Sequence, residues 1–194
     1  MNQKILIKYS FLTFVLFFLM NVISNNLAKA DKYKNAWQFK FNEISGGIID
    51  FSEFKGKVIF VVNTASFCGF TSQYKNLQKL WDDNKHKDFI LIGIPSNDFG
   101  QQEYDNNSKT KNFCETNFSI DFPLTEITKI KGNNAHPFYL WAKKELGLLA
   151  FPKWNFHKYV ISKDGNLTNW FSSVTSPNSG KIVNLINSEL QKIY

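Results

Sequence analysis

Two nearly unbroken apolar runs constrain this chain more than anything else in it: Val58-Ile59-Phe60-Val61-Val62-Asn63 and Phe89-Ile90-Leu91-Ile92-Gly93-Ile94. A strand with one wet face alternates apolar and polar residues, whereas a strand apolar at successive positions has both faces covered. Pro95 closes the second run. Between them, Thr71 to Asn84 carries Tyr74, Leu77, Leu80 and Trp81 at helical spacing, which predicts a β-α-β unit with its two strands parallel.

Asn107 to Asn117 reads as a polar helix carrying Cys114, and Ala135 to Leu146 as another, with Phe138, Leu140, Trp141 and Leu146 at its apolar positions. Tyr159-Val160-Ile161-Ser162 and Leu167-Thr168-Asn169-Trp170-Phe171 flank Lys163-Asp164-Gly165-Asn166, and Asp-Gly between two β-rich runs signals a hairpin. Gly180 to Lys192 reads as a terminal helix, and weaker strands near Gln38–Ile44 and Gly47–Asp50 predict an N-terminal β-hairpin. Residues 31–194 contain no repeat, low-complexity tract or Pro/Gly-rich linker, and are read as one domain. The order β-α-β, helices, β-hairpin, helix resembles the thioredoxin-like α/β fold, a central mixed sheet flanked by helices.

Residues 1–30 have a different character. Lys4 and Lys8 precede an apolar stretch from about Phe11 to Ile23, and Ala28-Lys29-Ala30 is a small-x-small cleavage sequence. This is the composition of a secretory signal peptide, and the apolar run is short for a membrane span, which needs about 20 residues. The expected product is exported, periplasmic or secreted, without stable membrane insertion; the alternative is an uncleaved N-terminal anchor. The formal charge of +7 comes from 23 basic residues, all Lys, against 16 acids. Loss of Lys4, Lys8 and Lys29 would leave 20 Lys against 16 acids, a balance of +4. With no Arg and no long Lys run, the chain lacks both the bidentate fork of base readout and a basic patch, so nucleic acid is not an expected partner. A hydrophobic content of 43% excludes intrinsic disorder. The two cysteines, Cys68 and Cys114, cannot build a four-Cys zinc site. They could make one bridge, or one reactive thiol with one helper.

Cys68 follows the first buried run through Ala65-Ser66-Phe67 and precedes the first predicted helix. A thiol there meets unpaired N–H groups and the positive end of the helix dipole, both of which favour thiolate. Gly69 allows close approach of backbone to a reacting atom. The competing reading is a small buried hydrophobe. No second Cys lies within four residues, so the paired-thiol chemistry of CxxC motifs is excluded. A single thiolate suits nucleophilic attack, for example on a peroxide O–O bond.

Three segments carry a family resemblance. Asn63-Thr64-Ala65-Ser66-Phe67-Cys68-Gly69-Phe70-Thr71 resembles the N-V-A-S-x-C/U-G-x-T signature of the glutathione peroxidases. Gly93-Ile94-Pro95-Ser96-Asn97-Asp98-Phe99-Gly100-Gln101-Gln102-Glu103 is similar to their G-F-P-C-N-Q-F-G-x-Q-E, and Lys153-Trp154-Asn155-Phe156 to their K-W-N-F. The resemblance runs from about Trp37 to the C-terminus. It implies a thiol peroxidase acting on hydrogen peroxide and organic or lipid hydroperoxides, with Cys68 as the peroxidatic residue and no bound cofactor. Trp154 and Asn155 would be its partners, neutral N–H donors that favour an anionic sulfur and guide a proton to the leaving alkoxide.

The resemblance also shows departures. Asp98 stands where the family's N-Q-F has Gln, taken here as the fourth catalytic partner. A carboxylate beside a thiolate is a like-charge pair. Asp98 is therefore expected either to be protonated and act as a donor, or to turn away onto a Lys or backbone N–H. Ser96 stands where many relatives have a further Cys, and Tyr104 replaces the usual Pro. Cys114 matches the resolving cysteine of two-cysteine, thioredoxin-using members, which implies a Cys68–Cys114 disulfide reduced by a thioredoxin-like dithiol protein; glutathione is the alternative reductant. The loop from Thr125 to Asn134 is short beside the interface segment of tetrameric members, which implies a monomer. A redox sensor that passes its disulfide to a partner protein, and a non-catalytic binding domain, are the competing functions.

Overall fold

The computed structural model describes residues 33–193, so the expected signal segment lies outside the described residues. A small antiparallel hairpin comes first, β1 (Lys40–Asn42) with β2 (Ile48–Asp50), in the register Phe41 opposite Ile49. β3 (Val58–Thr64) leads to α1 (Gln73–Asp82), and β4 (Phe89–Pro95) returns parallel to β3, with Val61 opposite Ile92. Two helices follow, α2 (Asn107–Phe118) and α3 (Pro137–Leu146). β5 (Lys158–Ile161) and β6 (Leu167–Phe171) form the second hairpin, and α4 (Gly180–Gln191) closes the described chain. The main sheet has the order β4-β3-β5-β6, with β5 antiparallel to both of its neighbours. This is the mixed sheet and the thioredoxin-like α/β plan expected from the element order.

Every residue of β3 and β4 is buried, as the absence of alternation requires. Ile59 and Val61 point into one core layer with Phe39, Phe51, Phe138 and Trp141, under α3. Val58, Phe60 and Val62 point into the other, with Tyr74, Leu77, Ile182 and Ile186 of α1 and α4. Both cysteines belong to this second layer. Each such aliphatic side chain, fully buried, stabilises the fold by about 1.5–3 kcal/mol.

Two glycines are required by close approach. In β4, a Cβ on Gly93 would lie 2.5 Å from Leu124 Cδ2, because the 122–125 segment lies against that strand: Thr125 N donates to Gly93 O at 2.9 Å and Gly93 N to Pro123 O at 3.0 Å. In the β5–β6 turn, Gly165 has φ +84° and abuts the Trp37 ring, and Asp164 accepts from Ser162 Oγ and Asn166 N. That is the chemistry the Asp-Gly pair signals.

One expectation about the first helix is corrected. α1 begins at Gln73, and Cys68 lies five residues earlier in a series of tight turns: Thr71 N donates to Cys68 O, Gln73 N to Phe70 O and Tyr74 N to Thr71 O. The helix dipole acts within about one turn of the terminus, so it does not supply the field at the Cys68 sulfur. The mixed sheet nonetheless assembles one site, because the C-terminal ends of β3 and β4 and the N-terminal end of β5 share one edge (Val62 pairs with both Gly93 and Lys158). The three sequence motifs leave from those three strand ends.

Candidate active site

Cys68 is 7% exposed and its thiol is free. Its turn is closed by Thr71, whose hydroxyl accepts from Cys68 N at 3.0 Å and donates to Ala65 O at 2.9 Å. This staple explains a Thr three residues after the Cys. The backbone N–H of Phe70 reaches the Cys68 sulfur at 3.5 Å, a local donor in place of the helix end. A Cβ on Gly69 would meet nothing within 4 Å, so the turn beside Cys68 is not packed over on that side.

Hydrogen bonds join the three motifs. Asn63 binds the third motif and the residue after it on every polar atom: its N and O pair with His157 O (3.2 Å) and Phe156 N (2.6 Å), its Nδ2 donates to Trp154 O (3.2 Å), and its Oδ1 accepts from His157 N (3.1 Å). This grip holds Phe156 at φ +61°, a left-handed conformation costing about 1–2 kcal/mol in a residue with a Cβ. Phe67 N, one residue before Cys68, donates to Gln102 O at 2.8 Å, tying the first motif to the second. Asn155 is fully buried and ties the third to the second: its Nδ2 donates to Gln102 Oε1 at 3.1 Å and to Phe99 O at 3.3 Å. The Asn155 amide hydrogens expected to face sulfur therefore go to these two acceptors, while its Oδ1 is buried without a partner. Trp154 is 39% exposed, with its ring 6.3 Å from that of Phe99 and against Gly100.

Asp98 lies in the second motif but its carboxylate turns out of this network. It accepts from Ile130 N at 2.6 Å, Lys131 N at 2.9 Å and Lys129 Nζ at 3.1 Å. Burial alone would raise its pKa; the backbone N–H groups of Lys131 and Ile130, and then Lys129, outweigh it and hold the carboxyl below its ordinary value. Asp98 is thus ionised and turned away, the second of the two arrangements expected for it, and not a protonated donor. The residue of the second motif that reaches both the Cys68 turn and Asn155 is Gln102. The sequence does not single it out, because the motif contains several polar positions and a linear pattern does not say which one faces the strand ends.

Glu103, the next residue of the motif, is equally silent in the sequence. It is 4% exposed, and its Oε1 accepts from Ser66 Oγ at 2.6 Å, Tyr104 N at 2.8 Å and Thr110 Oγ1 at 3.1 Å. Burial raises its pKa and the three donors offset this only in part. Cys114 is fully buried on the inward side of α2, beside the equally buried Thr110. Burial pushes the Cys114 thiol up to about 12, against the lowering contact of the Tyr74 hydroxyl, and the charges of Glu103 and Glu115 add to the rise. Among the described residues there is no group of three or more His, Cys, Asp or Glu placed to hold a metal ion, and no helix long and apolar enough to cross a membrane.

Comparison with known proteins fits this geometry. The glutathione peroxidase family profile matches residues 36–143. The hydroperoxy fatty acid reductase gpx1 of Synechocystis sp. is 37% identical over 147 residues, 72% of this chain and 87% of that protein. The glutathione peroxidase-like peroxiredoxin 2 of Saccharomyces cerevisiae is 39% identical over 137 residues, 69% of this chain and 85% of its own. The crystal structure of Trgpx in its apo form superposes with a TM-score of 0.66 at 36% identity, covering 82% of this chain and 97% of Trgpx.

Proposed function

Since this chain belongs to the glutathione peroxidase family and is a thiol peroxidase, we propose that Cys68 is its peroxidatic residue and Cys114 its resolving residue. The Cys68 thiolate attacks one peroxide oxygen, the O–O bond breaks, and the other oxygen leaves as water or an alcohol after taking a proton. Cys68 becomes a sulfenic acid. The Cys114 thiol condenses with it: the S–O bond breaks, an S–S bond forms, and the hydroxyl departs as water with the Cys114 proton. An external thiol then reduces the bridge, so the enzyme needs a thiol co-substrate and no bound cofactor.

The observation that carries this reading is the convergence of three motifs on one sheet edge, with the Phe70 N–H on the Cys68 sulfur and Gln102 joined to both the Cys68 turn and Asn155. Gln102 takes the amide role that the sequence reading gave to position 98. Trp154 and Asn155 complete the polar frame, with Asn155 acting through Gln102. Substrates include organic and lipid hydroperoxides as well as hydrogen peroxide, supported by the exposed Phe67 (54%) next to Cys68 in the chain and by the named activity of the Synechocystis relative. A thioredoxin-like dithiol is favoured over glutathione, because Cys114 supplies a disulfide for it to reduce and the chain has no Arg to grip glutathione's carboxylates. Export and a monomeric state belong to the same proposal, resting on residues 1–30 and on the short 125–134 loop.

The test is peroxide consumption by the wild type, Cys68→Ser and Cys114→Ser, each with thioredoxin or with glutathione. Cys68→Ser is expected to be inactive, and Cys114→Ser to lose only thioredoxin-supported turnover. Normal turnover of Cys114→Ser with thioredoxin would remove the resolving assignment. Consumption that stops near one equivalent in the wild type would favour the sensor function instead.

A further inference from the structure

We propose that Glu103 and Tyr104 form a two-point clasp that holds α2 against the Cys68 turn and sets the rate at which Cys114 becomes free to close the disulfide; this rests on the resolving role proposed above. The first point is the Glu103 carboxylate. One oxygen accepts both Ser66 Oγ (2.6 Å), two residues before Cys68, and Thr110 Oγ1 (3.1 Å), one helical turn before Cys114. Thr110 is fully buried and Glu103 nearly so, so water does not readily replace either bond. The second point is the Tyr104 ring. It packs edge-on against Phe67, the residue before Cys68, at 4.5 Å, and against Phe113, the residue before Cys114, at 5.9 Å. Phe67 and Phe113 also meet directly at 6.2 Å. The flanks of both cysteines are therefore fastened to the same dipeptide.

The clasp matters because α2 has little helical stability of its own. Asn107-Ser108-Lys109-Thr110-Lys111-Asn112-Phe113-Cys114-Glu115-Thr116-Asn117-Phe118 contains no Ala or Leu and is rich in Asn, Ser and Thr, which favour caps and turns over helix interiors. Cys114 is 0% exposed inside the core layer, and both thiols are free. In this proposal α2 opens around the buried Cys114 before the sulfurs bond, and the clasp breaks first. The step itself balances: Cys68–SOH and Cys114–SH give the disulfide and one water, with Cys114 oxidised and the sulfenic sulfur reduced.

The reduced full-length protein, given one equivalent of hydrogen peroxide, tests this with two rates: loss of the Cys68 thiol, and conversion of dimedone-reactive sulfenic acid to the Cys68–Cys114 disulfide seen by peptide mapping. Thr110→Val cuts only the helix side of the first point. It is expected to speed disulfide closure about tenfold, the low end of what a hydrogen bond to a charged group is worth, with the rate of Cys68 oxidation unchanged. Thr110→Ser, which keeps the hydroxyl, is expected to close at the wild-type rate. Tyr104→Leu, which cuts the second point, is expected to accelerate closure in the same direction. Closure in both Thr110→Val and Tyr104→Leu at or below the wild-type rate overturns the clasp. Failure of the wild type itself to form the Cys68–Cys114 bond overturns the resolving role, a different result.

Discussion

Replacing Asp98 separates its structural role from any catalytic one. In the folded protein its carboxylate holds the 129–131 segment through two backbone N–H groups, at 2.6 and 2.9 Å, and through Lys129. The lysine is largely exposed and adds little. Asp98→Ala leaves the Ile130 and Lys131 N–H groups without a protein acceptor, at about 1–3 kcal/mol for each buried group so stranded. Water reaches part of this corner, which brings the total to about 2–4 kcal/mol. For a domain of this size that is a fall in Tm of roughly 4–16 °C. Because the folded-state pKa is depressed, this stability is present above the usual carboxylate range and is lost as pH falls through the depressed value. The Tm gap between wild type and Asp98→Ala should therefore close in strong acid. Peroxide reduction per folded molecule, assayed well below Tm, should stay within about twofold for Asp98→Ala and Asp98→Gln, as expected for a group outside the site network. Gln102→Leu is the contrasting variant, expected to lose roughly tenfold or more in kcat/KM as the side-chain acceptor that holds Asn155 is removed and the site loses its positioning. A rise in turnover for Asp98→Gln would refute the reasoning, since it would mean that the carboxylate opposes the thiolate after all. An unchanged Tm for Asp98→Ala would refute it equally, since the 129–131 bonds would then carry nothing.

Two further outcomes are expected from the core. His136, stacked on Phe41 at 3.8 Å, is held down to about 4 by burial, against a raising bond to Lys40 O; His157, stacked on Trp170 at 5.2 Å, is held down to about 3 by burial and then by Lys158. The unfolded chain binds their two protons near pH 6.5 and the native state does not, so stability is full above that pH and falls as pH drops towards 4, by up to about 2.7 kcal/mol per pH unit where both contribute. Denaturant titrations at pH 7, 6 and 5 check this, and a flat profile would show that the imidazoles are not held neutral. Gly93→Ala puts a methyl group 2.5 Å from Leu124 and 3.0 Å from Phe122, and is expected to cost about 1–3 kcal/mol by overpacking. Thermal unfolding measures it, and an unchanged Tm would mean that the 122–125 segment gives way freely.

The fold was legible because its signals are local. Short unbroken apolar runs rich in β-branched residues, at Val58–Asn63 and Phe89–Ile94, suit strands buried on both faces, and Asp164-Gly165 can serve a turn that needs positive φ. The helix bounds came out within a few residues for the same reason. The site was legible only in part. Cys68, Trp154 and Asn155 stand out as a reactive thiol and two donors in a known pattern, and their motifs meet where β3, β4 and β5 share an edge. The roles within the second motif were not legible. Asp98, Gln102 and Glu103 are all polar residues on one loop, and nothing in their order says which is turned outward.

The amino-acid sequence by itself determined the α/β architecture, the number and character of the thiols, and the class of chemistry they suit, because hydrophobic period, turn chemistry and residue type act over a few neighbouring positions. Only the tertiary structure decided that Cys68 takes its N–H from Phe70 and not from a helix end, that Asp98 anchors the 129–131 segment, that Gln102 joins the Cys68 turn to Asn155, and that Glu103 links that turn to the helix of Cys114. Those are contacts between residues far apart along the chain. Their direction is set by which strand ends share an edge and which donors burial leaves without water, and neither is written in any single stretch of sequence.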